Sequence, residues 1–167
     1  MEGGLMLSRV SKGWDWILNG VLFLLLAVMV AVIGAQVWYR FVFNNPLDWS
    51  EELGRYLFIW ISFIGAAVGI RQRVHLGIDI IQKLTSPALY RVIAVVVNLL
   101  IQIFLLTIAY SGFKILNVIK FQSSASLHIP MLYPYMAVPV GCILMLINSL
   151  RLTWETLTGR GTGESAE

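Results

Sequence analysis

Residues 21–35 read VLFLLLAVMVAVIGA, and residues 92–110 read VIAVVVNLLIQIFLLTIAY. A helix of a soluble bundle carries apolar residues on one side and polar residues on the other. These two segments are apolar on every side, with Asn98 and Gln102 as the main polar interruptions of the second. They therefore favour membrane-spanning helices over the helices of a soluble four-helix bundle.

The composition agrees with a membrane protein, because 58% of the 167 residues are hydrophobic and 13% are charged, where a soluble domain has about 25% charged residues. Crossing a hydrocarbon core of ~30 Å takes about 20 helical residues. Three charge-free stretches reach that length: Trp16–Tyr39, Val92–Phe113 and the apolar part of Phe121–Leu150. A further stretch, Tyr56–Ile70, has 15 residues and is long enough if the helix begins at Trp49, with charges in its first turns. We predict an all-α integral membrane protein with four spans, at about 14–43, 49–70, 88–118 and 129–154.

A single transmembrane domain is predicted over residues 1–155, followed by a polar, glycine-bearing and disordered tail at 156–167. The segment 71–91, between spans two and three, contains apolar residues at helical spacing and predicts a short amphipathic helix in the membrane interface. In the fourth span, Pro139 lacks the amide that would bond to the Tyr135 carbonyl, so we expect a kink there.

The distribution of basic residues predicts the orientation. If there are four spans, the termini and the connection between spans two and three share one side. That side has the larger group of lysines and arginines: Arg9, Lys12, Arg71, Arg73, Lys83, Arg91, Arg151 and Arg160. The other side has Arg40, Arg55, Lys114 and Lys120. The positive-inside rule then places both termini in the cytoplasm.

The sequence offers little for catalysis. The middles of the four predicted spans contain no Asp, Glu, Lys, Arg or His, although carriers coupled to protons or ions commonly place such a group there. Cys142 is the single cysteine, which argues against a paired-cysteine oxidoreductase. His75 and His128 fall on opposite sides of the membrane and cannot ligate one haem. We predict no enzymatic activity, no metal or other cofactor, no nucleic-acid partner, and no transport by this chain alone.

A stripe of small residues runs along the second span at spacings of i, i+3, i+4 and i+7. Its members are Ser62, Gly65, Ala66 and Gly69. Small side chains allow a neighbouring helix to approach closely. That neighbour can belong to the same chain or to another subunit, and the sequence leaves both open.

Two pairs of polar residues are spaced four apart, which places each pair on one helix face. Asn98 and Gln102, in the third span, are predicted to form hydrogen bonds between helices rather than to line a polar path. His75 and Asp79 are predicted to pair on the interfacial helix in a structural role.

The stretch LDWSEELGRYLFIW, residues 47–60, places charge at the start of the second span. Arg55 follows Glu51 by four residues and Glu52 by three, so one guanidinium can reach both carboxylates. The cluster keeps one negative charge uncompensated, which implies a partner. The predicted contact residues, with another helix or subunit, are Ser50, Glu51, Glu52 and Arg55 together with the small-residue stripe.

Three motifs occur in a fixed order along the chain: NPLDWSEELGRYLFIW at 45–60, GAAVGIRQRVHLGID at 65–79 and LHIPMLYPYMAVPVG at 127–141. Together they resemble the small membrane subunit of tripartite ATP-independent periplasmic (TRAP) transporters, the DctQ-like family. The similarity extends over about residues 14–155.

The resemblance implies a transporter with three components. A periplasmic binding protein captures a carboxylate-bearing solute, such as a C4-dicarboxylate or a sialic acid. A separate, large M-type subunit carries the solute inward with sodium by an elevator motion and holds the substrate and sodium sites. The small subunit extends the fixed scaffold within the lipid membrane.

Two other readings compete with this one. A free-standing, homo-oligomeric small transporter would be expected to have an ionisable residue in mid-span. A membrane enzyme would need a nucleophile, a metal or a redox pair.

Overall fold

The computed structural model describes residues 2–71 and 86–157. Its helices are α1 (Glu2–Val42), α2 (Asp48–Arg71), α3 (Pro87–Ile119), α4 (Leu132–Tyr135) and α5 (Ala137–Leu157). Four segments are long and apolar enough to cross a membrane: Trp16–Val42, Asp48–Arg71, Leu89–Ile119 and Leu132–Leu157. The predicted all-α membrane fold is confirmed.

Two predicted features fall wholly or largely outside the described residues. The interfacial helix, with the His75 and Asp79 pair, was predicted in a segment whose residues 72–85 are not described. Of the predicted tail, only its first two residues are described, and they continue α5 to Leu157.

The connection between α1 and α2 is short. Asn44 has a φ of 49°, a left-handed conformation that asparagine adopts more readily than most residues. From the sequence, Ser50 or Asp48 would be the expected N-cap of α2. Ser50 instead lies within the first turn, fully buried, and its hydroxyl donates to the Leu47 carbonyl at 2.6 Å. Ser50 is therefore not the cap.

The fourth span consists of two helical segments, α4 and α5, which are separated at Met136. Pro139 has no amide hydrogen to donate to the Tyr135 carbonyl. The interruption lies directly beside that carbonyl, where the sequence predicted a kink. The Val140 amide donates to the Met136 carbonyl at 3.1 Å, so regular helical bonding resumes immediately.

The long helices lie side by side in the order α1, α2, α5, α3 and do not close into a bundle. Among the described residues, α1 packs against α2 alone, α2 and α5 form the central pair, and α3 packs against α5 and α4. In the most apolar part of the first span 6% of the residues are buried, whereas in that of the fourth span 44% are buried. Most of the apolar surface of α1 therefore faces lipid or another protein.

The buried core lies where α5 is enclosed by α2 and α3. Its members are Ala67, Leu105, Ala109, Cys142 and Met145. At Gly141 the α5 backbone approaches α2 so closely that an added Cβ would lie 2.5 Å from the Phe63 Cβ. Lipid solvates apolar side chains about as well as protein does, so helix contact in a membrane depends on such close packing.

On the opposite side of α2, Gly54 provides the close approach to α1. A Cβ added at Gly54 would lie 2.7 Å from the Ile33 Cδ1 atom, and Gly54 is buried. Gly54 of α2 thus allows close contact with α1, and Gly141 of α5 allows close contact with α2.

Polar side chains also join the helices. The Gln102 amide donates to the Ser149 hydroxyl at 3.3 Å and to the Thr153 hydroxyl at 3.0 Å, which links α3 to α5. The Asn148 amide donates to the Ala67 carbonyl at 2.8 Å, which links α5 to α2. The predicted interhelical hydrogen bonding of Gln102 is confirmed, and Asn98 is buried on the same face of α3.

Replacing Gln102 with Leu is expected to lower the free energy of unfolding by about 1 kcal/mol, because hydrogen bonds between spans are worth about 0.6 to 2 kcal/mol. Reversible unfolding in mixed detergent micelles measures this. Thr107→Val is the control, since the Thr107 hydroxyl is exposed and bonds within its own helix, to the Ile103 carbonyl at 2.9 Å. An equal loss in both variants would contradict a role for the link to α5.

Candidate functional site

Residues 120–131 connect α3 to α4 as a tight hairpin, which we call the α3–α4 loop. An isolated antiparallel bridge joins Ser123 to Pro130, with main-chain hydrogen bonds on both sides of it. His128 closes the turn with a φ of 54°. The loop therefore presents the successive N–H groups of residues 125–127 to a single acceptor.

That acceptor is the carboxylate of Glu52, on α2. Its Oε2 accepts hydrogen bonds from the amides of Ser126 at 2.8 Å and Leu127 at 3.0 Å. Its Oε1 accepts from the Ala125 amide at 3.3 Å and from the Tyr56 hydroxyl at 2.5 Å. Successive main-chain N–H groups form a concavity that binds anions. Glu52 is 7% exposed, and it fastens the α3–α4 loop to α2.

Tyr56 holds the carboxylate from its own helix. It lies one turn after Glu52, and its ring is buried. The Tyr56 hydroxyl also lies 3.4 Å from the Met131 sulfur, at the far end of the loop. One tyrosine thus contacts both the carboxylate and the end of the segment that the carboxylate holds.

The predicted pairing of Arg55 with both glutamates is wrong. Glu52 bonds to loop amides and Tyr56, and Glu51 accepts a hydrogen bond from the Gln36 amide of α1 at 3.0 Å. Among the described residues, no carboxylate lies within ion-pair distance of Arg55, whose side chain is exposed. The charge of Glu52 is compensated by main-chain dipoles of the same chain.

The residues of α2 divide among four directions. Gly54 and Gly65 lie toward α1, where the Leu22 Cδ1 is 3.8 Å from a Cβ built at Gly65. Glu52, Phe63 and Ala67 lie toward α5 and the α3–α4 loop. Because the side chains of a helix advance by about 100° per residue, two further faces lie between these. Both remain open.

The predicted small-residue stripe divides between two of these directions. Ser62 and Ala66 are exposed, and an added Cβ at Gly69 would meet nothing within 4 Å. Gly65 turns partly toward α1. Ser62 and Ala66 therefore do not pack within the described part of this chain, whereas Gly65 packs toward α1. Contact of the stripe with another subunit stays a prediction. Ser50, by contrast, is fully buried and is not accessible to a partner.

Sequence reasoning missed Tyr56, Gly54, Gly141 and the loop amides. The four-residue spacing of Glu52 and Tyr56 on one helix face was a usable signal. The loop amides gave no such signal in the sequence. Main-chain amides occur at nearly every residue, and these lie more than 70 positions away from Glu52 along the chain.

The site has structural rather than catalytic chemistry. Among the described residues, no three His, Cys, Asp or Glu side chains are grouped so as to hold a metal ion. Cys142 is buried in the core. What the polar groups do is fix helices and a loop to one another.

A fold of four long, apolar helices joined by such contacts defines a class, the multi-pass membrane protein. The model of the DctQ component of tripartite ATP-independent periplasmic transporters matches residues 29–159. The chain belongs to this family, and it is a small permease subunit of a TRAP transporter and not an enzyme.

Several relatives support the assignment. The chain is 29% identical over 145 residues to the sialic acid TRAP transporter permease protein SiaT of Haemophilus influenzae, covering 87% of this chain and 23% of that protein. It is 24% identical over 178 residues to the C4-dicarboxylate small permease protein DctQ of Vibrio cholerae, covering 92% of this chain and 76% of that protein. The sialic acid small permease protein SiaQ of Vibrio cholerae is 29% identical over 128 residues, with 75% and 73% covered.

Proposed function

We propose that this chain is the stationary small subunit of a three-component transporter, in which it supports a separate large membrane subunit. A periplasmic binding protein delivers the solute to the pair. The family match over residues 29–159 supports the proposal most strongly. The arrangement of the helices in an open row also supports this role.

A row of helices suits a support better than a closed bundle would. A transporter that works by an elevator motion needs one part whose position and tilt in the bilayer stay fixed while another part slides across the membrane. Four spans in a row form a broad, thin wall whose two faces are both free, apart from the region beside the α3–α4 loop. Close packing at Gly54 and Gly141 and the hydrogen bonds across α5 keep the wall from shearing.

The solute and sodium sites are assigned to the large subunit. The middles of the spans of this chain have no Asp, Glu, Lys, Arg or His. The buried side chains of Gln102, Asn148 and Ser149 bond to one another, to the half-buried Thr153 or to the main chain. Relatives are named for sialic acid and for C4-dicarboxylates, which makes a carboxylate-bearing solute the expected cargo, imported with sodium.

The protein is placed in the bacterial inner membrane with both termini in the cytoplasm. The excess of lysine and arginine at the termini and near the α2–α3 connection supports this orientation. The α1–α2 connection and the α3–α4 loop then face the periplasm, where the binding protein docks on the assembled transporter.

Co-expression with the cognate large subunit tests the assembly. Purification through an affinity tag on this chain is expected to recover both polypeptides in a fixed ratio after size-exclusion chromatography. Recovery of this chain alone, as a homo-oligomer, would contradict the proposal and favour a free-standing small transporter. Detergent choice is controlled by showing that the large subunit is soluble under the same conditions.

A further inference from the structure

The two faces of α2 that lie between the α1 side and the α5 side differ in polarity. One lies over a wholly apolar cavity of about 390 Å³ lined by residues such as Leu57, Trp60 and Tyr133. The other begins at a cavity of about 760 Å³ between α1, α2 and the α3–α4 loop. From there it continues along α2 at spacings of four and three residues. Its members on α2 are Arg55, Ile59, Ser62, Ala66 and Gly69, and we call this face the α2 groove.

The surface of the α2 groove suits the close approach of a helix. The cavity at its head is about twice as large as the apolar cavity on the opposite face. Below the head, the floor is formed by Ser62, Ala66 and Gly69, which leave space for a helix backbone at close range.

The charges at the head of the groove are not equivalent. Asp48 and Glu51 lie in the first turn of α2, and Arg40 in the last turn of α1, where each complements a helix dipole. Arg55 lies four residues beyond Glu51, about 6 Å deeper along the helix axis. Charges inside a span are almost always paired. Arg55 has no ion-pair partner among the described residues.

We infer that the α2 groove receives a transmembrane helix of the large subunit, with a carboxylate or the carbonyl end of that helix facing Arg55. The inference rests on the proposed function and adds to it the face at which the partner binds. Charge complementarity selects this face over the opposite one, which is wholly apolar. A bound lipid would pair with Arg55 through its phosphate, but an acyl chain has no need of a floor of small residues.

The photo-crosslinking residue p-benzoylphenylalanine, placed at Ile59 or at Leu57, tests the inference in the complex with the cognate large subunit. The two positions are matched, because both are apolar and half-buried at nearly the same depth. Ile59 lines the groove and Leu57 the opposite face. Irradiation is expected to link this chain to the large subunit from Ile59 and not from Leu57. Loss of assembly with the residue at Ile59 but not at Leu57 supports the same face.

A second measurement does not depend on a bulky residue. Arg55→Ala is expected to weaken binding of the large subunit about tenfold, the change typical of losing one charge-assisted contact. Lys114→Ala is the control, since Lys114 is exposed on α3, away from the groove, with its amine over the Tyr110 ring.

Several results would overturn the inference. They are crosslinks from Leu57 alone, crosslinks from Ile59 to a second copy of this chain, and an intact complex with no protein crosslink from Ile59, which is the lipid outcome. So would equal effects of the Arg55 and Lys114 substitutions. Failure of the unmodified chain to recover the large subunit would instead refute the proposed function, and the inference with it.

Discussion

Glu52→Ala is expected to release the α3–α4 loop from α2 and to lower the thermal unfolding midpoint of the purified chain by roughly 5 °C or more. The substitution leaves the amides of Ala125, Ser126 and Leu127 and the Tyr56 hydroxyl without their common acceptor. The bond from Tyr56 is buried and those from the loop amides are part-buried. A donor that loses a charged acceptor where water is excluded costs more than the bond itself is worth. Scanning fluorimetry in detergent measures the midpoint.

Hydrogen exchange provides the local evidence for the same substitution. Exchange of the amides in residues 125–127 is expected to accelerate at least about tenfold in Glu52→Ala, because their protection depends on that one side chain. Glu52→Gln retains an acceptor oxygen without the charge, so its exchange rates are expected to lie between those of the unmodified chain and those of Glu52→Ala. Glu51→Ala is the matched control, since Glu51 is exposed and accepts a hydrogen bond from Gln36, away from the loop. Unchanged exchange in Glu52→Ala would refute the fastening role.

Gly141→Ala is expected to lower the free energy of unfolding by about 1 to 3 kcal/mol, the usual cost of adding a methyl group to a filled core. The new Cβ would lie 2.5 Å from the Phe63 Cβ and 2.9 Å from its Cδ1. The Cβ of Phe63 is tied to the α2 backbone, so relief requires α2 and α5 to separate. Denaturation in mixed micelles reports the loss.

Gly69→Ala is the control for this effect. Both glycines lie within helices, but a Cβ at Gly69 has nothing within 4 Å, so the change is expected to be neutral or slightly stabilising, as alanine is the better helix former. A loss at Gly69 equal to that at Gly141 would show that helix flexibility, and not contact with Phe63, is what the alanine changes.

The spans were readable from the sequence because bilayer thickness fixes how many apolar residues a helix needs. That constraint is local, and so are the interruption beside Pro139 and the shared face of Asn98 and Gln102. The order of the helices in the row was not readable. It depends on which glycines meet which side chains, and Gly54, Gly65 and Gly141 differ in their surroundings although each is a glycine in a helix.

The charged cluster shows why the predicted site was partly wrong. Sequence spacing identified the two carboxylates of α2 within reach of Arg55, but it gave no information about main-chain groups of the α3–α4 loop. Those amides compete for Glu52 with fixed geometry, whereas pairing with Arg55 would require ordering a long, flexible side chain. The negative charge of Glu52 is therefore compensated within the chain. The side chain for which a partner is inferred is Arg55.

Solute uptake into reconstituted vesicles tests the central claim most directly. The cargo is first identified as the carboxylate-bearing solute that stabilises the cognate binding protein against unfolding. Vesicles then contain the large subunit, this chain, or both, and receive the loaded binding protein and an inward sodium gradient. We predict uptake with both subunits and none with this chain alone, and a large loss when this chain is omitted. Uptake by this chain alone, or undiminished uptake without it, would contradict the account.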